Sequence, residues 1–360
     1  AVSLFSGAGG MDVGFSDANF EILWANDFDT NAVSTYRANI GQHVVLGDVE
    51  SELGNLNAFR GVDCLFGGPP CQGFSVAGKM DPNDPRSKLV NIFMEAVSII
   101  RPRCFVMENV RALAKLEKFS DVRKSLIKKS VQMGYRTELV ILNSRNFDVP
   151  QSRERMFLIG FVDCDNIAFL ARTKRHTSPE TNTRDAIKHL GPQGTDLNPK
   201  TCNAVVTISQ KPVLRKSAYA GMLFNGLGRP LNPVAPCATL PASMGGNKTP
   251  IIDERQFFGD GSSWVEQYHS QLRTGGTPLG MHDAPVFLRR LTLKEAAILH
   301  TFPLDYNFSG GKSSIYKQIG NAVPCKLAHA VASTVVDIFN NEPIPHSNIY
   351  QHEMDLIYAA

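Results

Sequence analysis

The segment Val2-Ser3-Leu4-Phe5-Ser6-Gly7-Ala8-Gly9-Gly10 runs a short apolar stretch directly into a glycine-rich turn. Glycines remove the side-chain obstacle, so such a turn lets a ligand approach the backbone closely. Outward from it, apolar stretches and helical patterns alternate through the first 161 residues. Candidate strands are 2–5, 21–26, 44–46, 62–66, 104–107, 138–142 and 156–161. Between them, 30–39, 89–100 and 119–133 carry apolar residues at helical spacing. That alternation predicts an α/β fold, a doubly wound and mostly parallel sheet with helices on both faces.

From 162 to 288 the composition shifts. Gly and Pro supply 23 of those 127 residues against 27 of the other 233, and helical periodicity fades. This stretch reads as a second, smaller, irregular β-rich domain. Leu293, Ala296, Ala297 and Leu299 then fit one helix and 326–339 another, so the chain returns to the first domain. The expected division is 1–161 with 289–341 for the large domain, 162–288 for the small one, and 342–360 for a C-terminal tail.

With 360 residues, 43% hydrophobic and 20% charged, disorder as the main state is excluded. Seven cysteines without Cys-x-x-Cys or paired Cys/His spacing argue against a disulfide framework or zinc module, and for a reducing compartment. No uninterrupted apolar run approaches the roughly 20 residues that span a bilayer. Ala1–Phe5 reads as a buried strand with no basic segment ahead of it, so a cytoplasmic protein is expected. The net charge of +3 is unremarkable, but the whole excess lies in 162–288, which holds 13 basic and 10 acidic residues. Arg172, Lys174, Arg175 and His176 form its densest cluster.

Ligands of doubly wound sheets bind beyond the carboxyl ends of the strands. Five such turns carry small, acidic or nucleophilic residues: Ser6–Gly10, Asn26–Asp29, Gly47–Val49, Gly67–Ser75 and Glu108–Val110. The first is not the dinucleotide pattern, because Asp12 stands where its third glycine belongs. Gly311-Lys312-Ser313 is not a phosphate loop, because Tyr306 stands where that pattern needs glycine. A nucleoside-type ligand fits better. Asp27 suits ribose hydroxyls and Asp48 an exocyclic amine, unless both merely cap the following helices. Cys71 follows two prolines on a rigid turn, a place that suits a nucleophile more than a buried apolar cysteine. Glu108 ends an apolar run, where a carboxylate is costly unless it binds something, and a raised pKa would make it an acid.

The ordered set Phe5–Gly10, Pro69-Pro70-Cys71-Gln72, Glu108-Asn109-Val110, Gln151-Ser152-Arg153-Glu154-Arg155, Arg289-Arg290-Leu291-Thr292 and Gln318–Pro324 resembles the DNA (cytosine-5)-methyltransferases, in that family's order. The resemblance covers nearly the whole chain except 162–288, where that family carries its variable target-recognition domain. It implies S-adenosylmethionine as cofactor, without a metal. Phe5, Asp27, Phe28, Asp48 and Val49 would hold the adenosine, and Gly7, Gly9, Leu89, Asn321 and Val323, together with Pro70, would line the rest of the pocket. Cys71 would be the nucleophile, Glu108 would meet the cytosine edge, and Arg153 and Arg155 would support the base and the active-site loop 74–88.

The implied partner is double-stranded DNA, whose target base must be extruded for reaction. The compact build resembles bacterial restriction-modification members, which would add a cognate endonuclease, and no membrane is implied. Within 162–288, Arg172, Lys174, Arg175, Arg215, Lys216, Arg229, Lys248, Arg255 and the step Thr239-Leu240 are candidates for reading DNA, with Ser75 from the loop. Met222, Leu223, Phe224, Phe257 and Phe258 read as core. Competing readings are an RNA cytosine-5 methyltransferase, a catalytically silent DNA-binding protein, and a nucleotide-dependent dehydrogenase or kinase. The length of 162–288 disfavours the first, the presence of Cys71, Glu108, Arg153 and Arg155 the second, and the missing glycine patterns the third.

Overall fold

The computed structural model describes residues 1–70, 88–164 and 166–344. The strands of its first half are β1 (Val2–Leu4), β2 (Trp24–Asp27), β3 (Val44–Leu46), β4 (Cys64–Gly67), β5 (Cys104–Val110), β6 (Arg136–Asn143), β7 (Gln151–Ser152) and β8 (Glu154–Phe161). All but β7 join one sheet in the order β3-β2-β1-β4-β5-β8-β6. Neighbours pair in parallel from β3 to β5, and β8 alone runs against its neighbours β5 and β6. The helices α1 (Gly10–Asp17), α2 (Thr30–Asn39), α3 (Val49–Glu52), α4 (Lys88–Ile100), α5 (Arg111–Lys115) and α6 (Ser120–Gln132) alternate with these strands.

Side chains alternate across a strand, and here both faces are apolar. Cys64, Phe66, Cys104 and Val106 face one core with Phe15 of α1. Leu65, Phe105 and Met107 face the other with Val90, Phe93 and Val97 of α4. The expected doubly wound sheet is therefore present, with strand limits shifted by a few residues. Helix α1 carries no sequence signal because it opens on glycine, the weakest helix former after proline.

Residues 162–288 differ from the β-rich expectation. They hold α7 (Phe169–Thr173), α8 (Thr183–Ile187), α9 (Glu254–Phe258) and α10 (Trp264–Arg273), and the short strands β9 (Ile208–Val213), β10 (Met222–Phe224), β11 (Cys237–Ala238) and β12 (Ile251–Asp253). Helix outweighs strand there. Ser263 caps α10 by accepting from the Glu266 amide at 3.1 Å, and Val265, Tyr268 and Leu272 bury one helical face. The chain also stays on the large sheet beyond residue 161. Ile167 and Phe169 pack into the core of Phe161, and Glu138 of β6 accepts from the Phe169 amide at 2.8 Å, capping α7.

The return segment is β13 (Leu288–Arg290), α11 (Leu293–Leu299), α12 (Lys312–Asn321) and α13 (Cys325–Phe339). Among the described residues, Lys312–Phe339 is the one stretch long and apolar enough by composition to cross a membrane. It is two helices interrupted at Pro324, and most of its apolar side chains lie in the protein core.

Helices α1 and α13 touch backbone to backbone. A Cβ on Gly14 would fall 2.4 Å from the His329 nitrogen and 2.5 Å from the Cys325 oxygen. We predict that Gly14→Ala costs about 1–3 kcal/mol, the range for overpacking, while Gly54→Ala, with open space around it, costs far less. Urea midpoints at equal m-value read both, and equal midpoints would contradict this packing.

Asp12 of α1 is fully buried, accepts from the Tyr36 hydroxyl at 2.9 Å, and is pushed up by burial to about 7. Between the unfolded pKa and 7 the folded chain keeps a proton that the unfolded chain releases, so stability falls as pH rises through that window. Asp12→Asn, which keeps the acceptor and sheds the charge, is predicted to raise the unfolding midpoint more at pH 8 than at pH 5. A gain independent of pH would contradict a buried, titrating Asp12.

Candidate active site

The strand order reverses between β1 and β4, and the crevice beyond their carboxyl ends is where such sheets bind ligands. Phe5 and Gly7 take positive φ there, 54° and 56°. The Gly7 amide donates to Asp27 Oδ2 at 2.8 Å and the Asp29 amide to Oδ1 at 2.8 Å, so this carboxylate is fixed between two turns. Burial raises its pKa and the two amides oppose that. Asn26 donates to the carbonyls of Val45 and Gly47 at 3.2 and 3.0 Å, tying β2 to the turn that carries Asp48 and Val49. Lys88 pairs with Glu50 at 2.7 Å, which brings Leu89 to the same edge. From the opposite flank, a Cβ on Gly10 would stand 2.6 Å from the Val323 oxygen, so the turn after Asn321 abuts the glycines.

These placements sort the expected cofactor residues. Apart from its chain neighbours, no atom of the described residues lies within 4 Å of where a Cβ on Gly7 would stand, and Phe28 is 62% exposed beside Asp27. An open floor, an aromatic face and a fixed carboxylate fit a nucleoside. Gly9 differs: a Cβ there would strike Ile40 at 2.2 Å and Tyr306 at 3.0 Å, so it serves packing against α2. Asp48 accepts from the Glu50 amide at 2.9 Å and caps α3, the alternative that the sequence left open.

Across the crevice, β5 delivers Glu108 at its carboxyl end. Arg155 of β8 stands diagonally opposite on the same face, and its Nε lies 2.9 Å from Glu108 Oε1, both side chains 13% exposed. Burial pushes the Glu108 pKa up, while Arg155 and then Arg153 pull it down. A Cβ on Gly68 would sit 2.9 Å from Glu108 Oε2, so a side chain there would push this carboxylate from its place beside the backbone leading to Pro70. Asn109, buried, donates to the Pro69 carbonyl at 3.2 Å and pins that backbone. Its part is a role the motif reading missed, although the residue sits inside Glu108-Asn109-Val110. Cys71 and Ser75 lie outside the described residues, as does loop 74–88 up to Ser87.

Arg153 is 2% exposed and donates to the carbonyls of Leu240 at 3.2 Å and Gly320 at 2.9 Å. The Thr239 hydroxyl donates to the Ser152 carbonyl at 2.9 Å, and β11 pairs in parallel with β7. The step Thr239-Leu240 is thus joined to the Arg153–Arg155 strand. The basic cluster is not. Arg172, 7% exposed, donates to the carbonyls of Ile167 and Glu342, Arg175 donates to the Pro343 carbonyl, and His176 meets Asp337 at 2.9 Å. These contacts surround the end of α13, where Phe339 stacks on Arg103 just before β5. That is the other end of β5 from Glu108, roughly 17 Å of strand away. Lys174 is exposed on the same turn. Clustering in sequence marked these cations as a ligand surface, but burial of Arg172 and carbonyl partners explain two of them structurally.

Arg215, Lys216, Arg229 and Lys248 are exposed, the last two on loops joined by a Gly228–Asn247 hydrogen bond of 3.2 Å. Arg255 stacks on Phe287 at 3.5 Å. Leu223, Phe224 and Phe257 are core, as expected. A cleft of about 400 Å³ between α1, α2 and Pro303–Asn307 holds none of the expected catalytic or cofactor residues.

The family described as C-5 cytosine-specific DNA methylase matches residues 1–337. The chain is 32% identical to the type II methyltransferase M1.HphI of Haemophilus parahaemolyticus, over 95% of this chain and 87% of that protein. It is 30% identical to the type II methyltransferase M.NgoFVII of Neisseria gonorrhoeae, over 94% and 87%. Its fold is similar to the crystal structure of the S. pombe Dnmt2 methyltransferase, with a TM-score of 0.65, 19% identity, and 94% and 98% of the two chains covered. The chain belongs to the family of C-5 cytosine-specific DNA methylases.

Proposed function

We propose that this chain methylates carbon 5 of a cytosine extruded from a specific double-stranded DNA sequence, through a transient covalent bond to Cys71. The observation that carries this reading is the half-buried Glu108–Arg155 pair at the end of β5, beside the Gly68–Pro70 backbone that leads to Cys71. Carbon 5 of cytosine is a poor nucleophile, and attack of the Cys71 thiolate on carbon 6 pushes electron density onto it. Glu108, its pKa raised by burial, gives its proton to ring nitrogen 3 and accepts from the 4-amino group. Arg155 holds the 2-keto oxygen and stabilises charge as it develops. Arg153 fixes the strand that carries Arg155 against Leu240 and Gly320.

Phe5, Gly7, Asp27, Phe28, Asp48, Val49, Pro70, Leu89, Asn321 and Val323 would hold S-adenosylmethionine, which would supply an electrophilic methyl group. Carbon 5 would take that methyl, leaving S-adenosylhomocysteine. Loss of the carbon 5 proton to a base carried by solvent water then breaks the carbon–sulfur bond and frees the Cys71 thiolate, and nitrogen 3 returns its proton to Glu108. Extrusion of the base costs a few kcal/mol and removes it from the stack that hides carbon 6. We assign 1–161 with 289–341 to this chemistry and 162–288 to reading the DNA, with Thr239, Leu240 and Arg229 ahead of Arg172 and Arg175. A paired restriction endonuclease fits the type II names of the relatives.

Three outcomes are predicted with methyl-labelled cofactor. Duplex DNA takes up label and transfer RNA does not; label in transfer RNA alone would replace DNA as the substrate. Cys71→Ala abolishes turnover and still binds cofactor, and undiminished turnover would remove Cys71 from the nucleophile role. Glu108→Gln lowers the rate by roughly two to four powers of ten. Because the protonated carboxyl is the active form, the wild-type rate falls as pH rises through the raised Glu108 pKa. Glu108→Gln should lack that alkaline limb; its persistence would assign the limb to another group.

A further inference from the structure

Gln151, the first residue of β7, is fully buried with both ends of its amide engaged. Its Oε1 accepts from the Leu240 amide at 3.0 Å, and its Nε2 faces the Leu299 carbonyl and His300 Nδ1, each at 3.3 Å. Reversing the amide would set its NH2 group against the Leu240 N–H, so the orientation is fixed by its neighbours. His300, at the end of α11, is itself fully buried, and its Nε2 has no partner among the described residues. Burial, and then the charges of Arg153 and Arg155, hold its pKa well below the ordinary range. A neutral ring carrying hydrogen on Nε2 presents the Nδ1 lone pair to Gln151; a protonated ring would present a donor to a donor.

The Leu240 peptide is therefore gripped at both ends, its N–H by Gln151 and its carbonyl by Arg153. Arg153 also holds the Gly320 carbonyl, and a Cβ on Gly320 would meet the Ala242 backbone at 2.5 Å. One compact set of contacts thus joins the step after β11, the strand of Arg155, and the residue before Asn321. We propose that His300 is a positioning residue for methyl transfer, the side-chain acceptor that, with the Leu299 carbonyl, orients Gln151 so that Thr239-Leu240 is held in register with the base site. This rests on the function proposed above, because it gives Thr239-Leu240 a place at the DNA.

The test compares His300→Leu, which deletes the side-chain acceptor and leaves only the Leu299 carbonyl, with His300→Asn, whose side-chain oxygen can replace Nδ1. Methyl incorporation into unmethylated plasmid DNA and binding of S-adenosylmethionine are measured for both. Loss of a hydrogen bond to a buried amide predicts about a tenfold or larger fall in kcat/KM for His300→Leu. That fall should lie mainly in the KM for DNA, with cofactor affinity within about twofold of the unsubstituted chain and His300→Asn recovering most of the loss. An unchanged KM for DNA in His300→Leu, or an equal defect in His300→Asn, would overturn the inference. Absence of methylation by the unsubstituted chain would instead sink the function on which it rests. If His300→Leu loses cofactor binding through misfolding, nitrogen-15 histidine NMR of the unsubstituted chain decides. A non-titrating ring with unprotonated Nδ1 is expected, and a ring protonated at Nδ1 refutes it.

Discussion

The site depends on one half-buried ion pair placed where an apolar strand runs out. Glu108 would be untenable at the end of β5 without Arg155 at 2.9 Å, and Arg155 reaches it only because β8 runs antiparallel beside β5 and sets the two residues diagonally on one face. The single reversed strand in an otherwise parallel sheet thus has a chemical consequence. It brings Arg155, with Arg153 just ahead of the strand, to the rim where the parallel strands deliver the glycine turn, Asp27 and the Gly68–Pro70 backbone.

Two halves of the crevice are then held by different means. The side that fits a nucleoside is built almost wholly from backbone and glycine: the Gly7 amide on Asp27, Asn26 on the carbonyls of the next turn, and open space above Gly7. The side that fits a base is built from charge, with burial raising the Glu108 pKa and two guanidiniums restraining it. Asn109 links the halves of the chemistry along one strand, since it holds the Pro69 carbonyl one residue after Glu108 faces the crevice.

Much of this was legible in the sequence, for definite reasons. Apolar runs such as Cys104–Met107 are buried on both faces, and their carboxyl ends had to carry whatever the sheet binds. Glycine turns and a carboxylate closing an apolar run are local signals, so Phe5–Gly10 and Glu108 could be read without a fold. Helix α10 was hidden among glycines, although Val265, Tyr268 and Leu272 lie at helical spacing. Arg172 and Arg175 misled because charge clustering says nothing about carbonyls supplied by Glu342 and Pro343, distant in sequence and close at the end of α13. Gln151 stood in a quoted motif, but its tie to His300 was silent for the same reason: a buried amide between two elements has no local pattern.

The most direct measurement of the covalent route uses duplex DNA bearing 5-fluorocytosine with S-adenosylmethionine. Fluorine on carbon 5 cannot leave as a proton, so the bond to carbon 6 should persist. Mass spectrometry should then find the nucleotide attached to the peptide containing Cys71, at close to one per chain. Saturating cofactor and DNA with no attached nucleotide, or attachment at another residue, would contradict the mechanism.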